Sequence, residues 1–282
     1  TPSISLLNKI PEARYNLAYA YFQSKQYSQS VKYFRKAINS DLDEVRMQDS
    51  KIRLADSYFM LKDFKNASRY YEEFTANNTR NDYALYQESK CYALLSDYRN
   101  QEECLYELTS DFKESPYYER SLFEIANLFK NQDENKKALN YYSKILLISK
   151  DSEVIASSLL NKGLIYFNQG EIDQSISFLK KIIENYSKSE SFKQAKIGLQ
   201  NSYSKKGSIS EYLAYIDQIP QLDITVAAKD SLTYEVAYNY FKNKQYTQSK
   251  THFLTYFSSI GDDAIFHIQS KYYYSESCWK TS

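Results

Sequence analysis

Apolar and small side chains recur along this chain at steps of three and four residues, in segments separated by short polar stretches. Such steps place the apolar side chains on one face of an α-helix, which can then be buried against a neighbour. The first clear example is residues 15–38, YNLAYAYFQSKQYSQSVKYFRKAI, in which two helical patterns flank a polar stretch. The pattern predicts two antiparallel helices joined by a tight turn.

The same template recurs along the chain, as shown by FQSKQYSQS at 22–30 and FKNKQYTQS at 241–249. Seven copies are in phase, at intervals of 37, 34, 37, 37, 37 and 37 residues. The first apolar position of each copy is held by Leu17, Leu54, Glu88, Ile125, Lys162, Leu199 and Val236. The residue that follows is mostly small: Ala18, Ala55, Ser89, Ala126, Gly163, Gln200 and Ala237. An aromatic residue completes each first helix: Tyr21, Tyr58, Tyr92, Phe129, Tyr166, Tyr203 and Tyr240.

These positions have a simple packing interpretation. A small residue lets two helix backbones approach closely, and the large aromatic residue fills the groove beside them. Glu88 and Lys162 occupy an apolar position, where we expect the stem to pack while the charged end reaches solvent. Gln200 and Tyr212 replace small residues in the sixth copy, where we expect the two helices to lie further apart.

One hairpin cannot bury both of its faces, so successive hairpins must stack. The sequence therefore predicts an all-α fold, an α–α superhelix of about seven helical hairpins with partial units at both ends. We expect a single solenoid over residues 1–282, as an excerpt of a longer array. Its repeats are predicted at about 11–47, 48–81, 82–118, 119–155, 156–192, 193–229, 230–263 and, in part, 264–282.

Composition supports helices and excludes some partners. Gly and Pro number only 5 and 4, fewer than a chain of many turns and short strands requires. Lys plus Arg total 36 against 35 Asp plus Glu, so the chain lacks the basic excess that binds nucleic acid. No run of apolar residues is long enough for a membrane span.

The residues that could carry chemistry do not form a catalytic pattern. The two histidines, His252 and His267, lie in helical patterns beside aromatic residues, as packed or surface side chains do. Cys91 and Cys104 fall on the two helices of one hairpin, where buried free thiols are favoured over a disulfide or metal pair. The five glycines form no phosphate-binding loop. We predict no enzyme activity, no cofactor and no metal.

The seven-fold template resembles the tetratricopeptide repeat over about residues 12–256, although that repeat is usually 34 residues long. Stretches such as DFKESPYYERSLFEIANLF and ENYSKSESFKQAKIGL resemble the longer-spaced repeats of bacterial cell-envelope proteins. The abundance of Tyr, Lys, Asn and Ser is similar to that of repeat proteins from Bacteroidetes. The resemblance implies a periplasmic or outer-membrane-associated location, with the cytoplasm as the alternative.

The resemblance also implies a function. First helices in this family line a concave face that binds peptides or proteins, and the matching residues are Tyr15, Tyr19, Asp56, Tyr86, Lys90, Phe123, Asn127, Leu164, Asn201, Tyr234 and Tyr238. Aromatic side chains there suit partner binding, or pack neighbouring helices. The carboxylate clamp of chaperone-tail binders is absent, because its positions hold Tyr15, Tyr19, Arg53, Tyr83 and Gln87.

The leading hypothesis is a non-catalytic scaffold that binds a protein or peptide. A structural array that self-associates, through its ends among other surfaces, is one alternative. A regulatory region of a larger protein, whose catalytic domain lies outside this chain, is the other.

Overall fold

The computed structural model describes residues 10–76, 81–219, 222, 225–259 and 264–281. Fifteen α-helices and no strands lie in this part of the chain. They are α1 (Pro11–Gln23), α2 (Tyr27–Ala37), α3 (Glu44–Met60), α4 (Phe64–Ala76), α5 (Asp82–Leu94), α6 (Tyr98–Asp111), α7 (Tyr118–Asn131), α8 (Asn135–Ile148), α9 (Ser152–Gln169), α10 (Ile172–Asn185), α11 (Ser191–Lys206), α12 (Ile209–Ile216), α13 (Val226–Lys242), α14 (Tyr246–Ser259) and α15 (His267–Lys280).

The helices divide into two compact units, residues 1–144 and 145–282, and the division falls within α8. In the first unit α1 pairs with α2, α3 with α4, α5 with α6, and α7 with the beginning of α8. In the second unit α9 pairs with α10, α11 with α12, and α13 with α14, which also contacts α15. Each unit is a stack of helical hairpins, and the predicted all-α solenoid fold class is confirmed. The continuity of one array over 1–282 stays a prediction.

Several predicted repeat boundaries fall inside first helices rather than between them. The boundaries at 47/48, 155/156 and 229/230 cut α3, α9 and α13 after their first turn. The reason is an N-terminal cap one residue before each helix, which frees the helix to start upstream of the packing positions. Asp43, Asp151 and Thr225 accept hydrogen bonds from the backbone N–H groups of their first turns.

The turn of every hairpin contains one residue in the left-handed backbone region. These residues are Lys25, Lys62, Ser96, Asp133, Gly170, Gly207 and Lys244, and they share one position of the repeat. A side chain is strained in this region, whereas glycine adopts it freely. Only two of the seven hairpins use the unstrained residue.

Small residues do more than allow the close approach of paired helices. Ser30 bonds to Ser57 at 2.9 Å, and Ser175 to Ser202 at 3.1 Å, so that a second helix is tied to the first helix of the next hairpin. Gly163 confirms the role of size, because a Cβ there would lie 3.0 Å from the side chain of Leu179.

The two charged residues at apolar positions behave differently from the prediction. Glu88 does not reach solvent: it is only 5% exposed, and burial with the nearby Glu72 raises its carboxyl pKa to about 7. Lys162 is also buried, with its Nζ 4.8 Å from the centre of the Phe178 ring. The Glu88 carboxyl group and the Lys162 ammonium group do not reach solvent, because second helices cover both sites.

The sixth hairpin is irregular because its second helix is short. Its second helix, α12, has only eight residues, whereas α10 in the preceding hairpin has fourteen. Tyr212 is fully buried on α12 where five of the other six hairpins carry a small residue, and its hydroxyl has no hydrogen-bond partner. The Tyr212 ring lies against that of Tyr203 on the paired helix, with ring centres 5.7 Å apart.

Candidate functional site

Two of the predicted partner-binding residues are buried in the helix packing. Asp56 accepts hydrogen bonds from the hydroxyls of Tyr71 at 2.5 Å and Tyr83 at 2.7 Å, and pairs with Arg53 at 2.6 Å. Its carboxylate is therefore fully engaged within the first unit. Tyr86 stacks on Tyr117 with ring centres 4.8 Å apart, which leaves almost none of its surface for a partner.

The network around Asp56 extends to another predicted residue. Arg53 also lies 3.4 Å from Asp49, which accepts a hydrogen bond from the Tyr15 hydroxyl at 2.9 Å. Burial and the adjacent carboxylate raise the pKa of Tyr15 to about 12. These contacts tie α1 to α3, so the Tyr15 hydroxyl has a structural partner.

The remaining predicted aromatic residues are partly buried in ring clusters. Tyr19 packs beside Tyr15, with ring centres 6.1 Å apart, and Phe123 meets Tyr142 edge-on at 5.9 Å. In the second unit, Tyr234 stacks on Tyr238 at 5.7 Å and on Phe266 at 4.5 Å. Leu164 and Asn201 are exposed. Each of these side chains keeps some surface, and their role in partner binding stays a prediction.

Lys90 and Asn127 come together in one cleft of about 420 Å³ in the first unit. We call it the Ala93 cleft. Helices α5 and α7 form its walls and the first turns of α6 close one end; its lining residues are Lys90, Ala93, Leu94, Tyr98, Gln101, Glu124, Asn127, Leu128 and Asn131. Leu94 and Tyr98 are 55% and 51% exposed, so apolar surface faces solvent at its mouth.

Polar groups in the Ala93 cleft are arranged asymmetrically. The Glu124 carboxylate accepts a hydrogen bond from Tyr86 at 2.7 Å and lies 3.4 Å from Arg120, so its charge is compensated. Tyr142 donates to Oδ1 of Asn127 at 2.5 Å, which leaves the amide hydrogens of Asn127 as donors. The Lys90 Nζ rests 5.1 Å from the centre of the Phe59 ring. The cleft therefore offers cationic and amide donors.

Two further clefts contain none of the predicted residues. One, of about 750 Å³ in the first unit, is lined by Arg14, Ser28, Val31, Lys32, Arg35, Lys36 and Asn39. The other, of about 310 Å³ in the second unit, is lined by Ser204, Lys205, Lys206, Gly207, Val236, Asn239, Tyr240, Asn243 and Gln245.

The side chains that could act in catalysis or bind a metal are packed in the helix bundle and do not form a cluster. The thiols of Cys91 and Cys104 are buried and free, and burial raises the pKa of Cys91 to about 12. His252 stacks on Tyr240 with ring centres 4.7 Å apart, and burial lowers its pKa. No group of three or more metal-ligating side chains lies among the described residues.

Sequence reasoning missed one repeated feature, an aromatic stack within the hairpins. The aromatic residue of the first helix lies against a second-helix residue twelve positions later: Tyr21 on Tyr33, Tyr58 on Tyr70, Phe129 on Tyr141, Tyr166 on Phe178 and Tyr240 on His252, with ring centres 4.7–5.7 Å apart. The sequence contained a signal for this stack. The second-helix position holds an aromatic residue or His in every hairpin except the third, which has Cys104. It explains part of the high Tyr content as packing.

None of the helices described is both long enough and apolar enough to span a bilayer.

The paired helices and their stacking define a protein of the α-helical repeat class. Family models described as tetratricopeptide repeat match residues 11–44 and 157–189, so the chain contains tetratricopeptide repeats in these two segments. Proteins of this family bind protein partners, so the general role of the chain is that of an interaction scaffold.

Solved structures agree on the fold. A tetratricopeptide repeat protein from Parabacteroides merdae ATCC 43184 is 13% identical, with a TM-score of 0.55, over 95% of this chain and 98% of that one. BtubC from P. vanneervenii is 17% identical, with a TM-score of 0.52, over 73% and 90%. MamA from Desulfovibrio magneticus RS-1 is 10% identical, with a TM-score of 0.51, over 62% and 93%. No curated protein matches the chain.

Proposed function

We propose that this chain is a non-catalytic scaffold that holds a peptide segment of a partner protein on the face formed by its first helices. The Ala93 cleft supports the proposal, because two predicted residues, Lys90 and Asn127, line it beside exposed apolar surface. A cleft with an apolar floor and a few polar groups that fix orientation is the usual form of a binding site.

The chemistry of the cleft suits an extended peptide. Asn127 and Asn131 lie one turn apart on α7, so that their amides point to the same side of the helix. Amide groups on that side can form hydrogen bonds with the backbone of a peptide of any sequence, while Leu94 and Tyr98 contribute apolar contact. Binding of this kind makes and breaks no covalent bond.

The other predicted residues extend this proposal along the first helices. Phe123 lies on the same helix as Asn127, and Tyr19 belongs to the first hairpin of the same unit. Asp56, Tyr86 and the Tyr15 hydroxyl are engaged within the protein and contribute by holding the first helices in place. A location in a bacterial envelope stays a prediction.

The test uses a displayed library of random peptides selected on the full chain. We expect peptides whose affinity falls at least tenfold with Leu94→Asp, because the substitution places a charge at the apolar mouth of the cleft. Leu254→Asp is the matched control, since Leu254 is similarly exposed on α14 and lies outside the clefts described above. Equal affinity for the Leu94→Asp variant and the unchanged protein, measured by calorimetry, would reject the site.

Self-association is a second candidate function, and one observation favours it. On α15, Ile268, Tyr272 and Trp279 are exposed. Exposed apolar side chains of this size are typical of contact surfaces. Light scattering at high protein concentration tests the idea: a dimer that Trp279→Lys dissociates supports it, and a monomer contradicts it.

A further inference from the structure

The turns of three hairpins contain the same aromatic contact. The last ring of the first helix meets the first ring of the second helix edge-on: Phe22 with Tyr27, Phe59 with Phe64, and Phe241 with Tyr246, with centres 5.4–5.9 Å apart and interplanar angles of 65–71°. Edge-on packing is a favoured geometry of aromatic pairs. The contact shows which group fits at this point of the repeat.

The third hairpin has lost one ring of this pair. Ala93 stands where Phe22, Phe59 and Phe241 stand, while Tyr98 keeps the partner ring. The Ala93 cleft lies at this place and includes both residues. Tyr98 is half exposed there, as expected for a ring whose partner is missing.

The sixth hairpin repeats the relation between a small residue and a cleft. Ser204 occupies the same position, and the cleft of about 310 Å³ in the second unit is lined by it. The position is otherwise held by Phe22, Phe59, Lys130, Phe167 and Phe241. Two of the three clefts described above therefore lie at the hairpins in which this side chain is small, whereas the third lies elsewhere on the first hairpin, away from Phe22.

The electrostatics at the rim of the Ala93 cleft favour an acidic ligand. Glu124 is compensated by Arg120 and Tyr86. Lys90, in contrast, has no carboxylate oxygen within 4.0 Å among the described residues, and its Nζ lies only over the rings of Phe59 and Tyr86. An ammonium group held at the edge of an apolar recess attracts a carboxylate and helps to select it.

We propose that the Ala93 cleft is a subsite for one aromatic side chain of an acidic peptide. The peptide's ring occupies the space of the missing phenylalanine, edge-on to Tyr98, and a neighbouring carboxylate of the peptide pairs with Lys90. The inference rests on the proposed peptide-binding function and specifies its ligand. It also explains why a single hairpin in the first unit combines a small residue, an exposed tyrosine and a lysine without an acidic partner.

The test measures fluorescence polarisation of a labelled heptapeptide that carries one phenylalanine between two aspartates in a glycine–serine background. We expect saturable binding that weakens at least tenfold when alanine replaces the phenylalanine, or asparagine both aspartates. Ala93→Phe should weaken binding at least tenfold by filling the subsite. It should not impair folding, because it restores a contact that three other hairpins already contain.

Ser204→Phe is the matched control, because it fills the equivalent cleft in the second unit and should leave binding unchanged. Lys90→Gln should reduce the affinity for the aspartate peptide to that for the asparagine peptide. Absence of saturable binding, or equal affinity for the Ala93→Phe variant and the unchanged protein, would overturn the subsite.

The library selection separates this failure from that of the proposed function. Selected peptides that lose affinity with Leu94→Asp but not with Ala93→Phe would retain the scaffold function and reject the aromatic subsite. A library that yields no binders would reject both.

Discussion

Some residues that the sequence predicts to bind a partner form hydrogen bonds within the folded protein instead. Asp56 and Asn127 occupy the same position of the repeat, and each accepts a hydrogen bond from a tyrosine of the second helix, Tyr71 or Tyr142. The tyrosine occurs only in these two hairpins, so the donor is never present without the acceptor. A buried hydroxyl requires such a partner, which is why the acceptor is present in both.

Glu88 gives a prediction at this scale. Its pKa, raised to about 7 from an ordinary 4.5, means that the folded protein binds this proton more tightly than the unfolded chain. The resulting stabilisation is complete below about pH 4.5 and is lost as the pH rises through 7. We therefore expect Glu88→Gln to stabilise the protein relative to the wild type by about 2–3 kcal/mol more at pH 8 than at pH 5.

Urea denaturation followed by circular dichroism at both pH values measures this difference. Glu103→Gln is the control, because Glu103 is exposed on α6 and its substitution should be nearly independent of pH. A pH-independent effect of Glu88→Gln would show that the carboxyl is not protonated in the folded protein.

At the scale of elements, boundaries follow caps and turns rather than apolar positions. The template located every first helix but missed the opening turn of α3, α9 and α13, because that turn carries few packing residues and is set by a capping side chain. The left-handed turn residue was also hidden, since lysine, serine and aspartate hold it in five hairpins. Side-chain type alone does not reveal a strained backbone.

Gly170→Ala tests the importance of this turn geometry. Gly170 has a φ of 84°, and no atom lies within 4 Å of an added Cβ, so the substitution introduces backbone strain without a steric clash. We expect a loss of about 1 kcal/mol in the free energy of unfolding, measured by urea denaturation. Lys62→Gly, at the same position of another hairpin, should have the opposite sign. Equal stability of all three proteins would show that the turn tolerates side chains.

At the scale of the whole molecule, each hairpin is stabilised by contacts with its neighbours within a unit. Local stability can therefore differ from one hairpin to the next. The core of the second unit includes Leu199, Tyr203, Leu213 and Ile216, yet α12 contributes only two turns to it. In repeat proteins of this kind, a short element with an unsatisfied buried group is the place where local opening costs least.

We expect backbone amides of α12 to exchange with deuterium at least tenfold faster than those of α10, because α12 is shorter and Tyr212 lacks a hydrogen-bond partner. Hydrogen-exchange mass spectrometry resolves the two helices as separate peptides. Tyr212→Phe removes the unsatisfied hydroxyl and should slow exchange in α12. Similar exchange in both helices of the wild-type protein would mean that the sixth hairpin is as stable as the fifth.

The sequence by itself determined the repeat and its helices, because periodic burial of apolar and small residues leaves a direct trace along the chain. It also identified a set of first-helix residues for partner binding. Only the tertiary structure decided which of them are engaged within the protein, since Asp56 and Tyr86 are buried by residues 15 to 38 positions away. It likewise exposed the Ala93 cleft, because an empty space exists only after the surrounding side chains have packed.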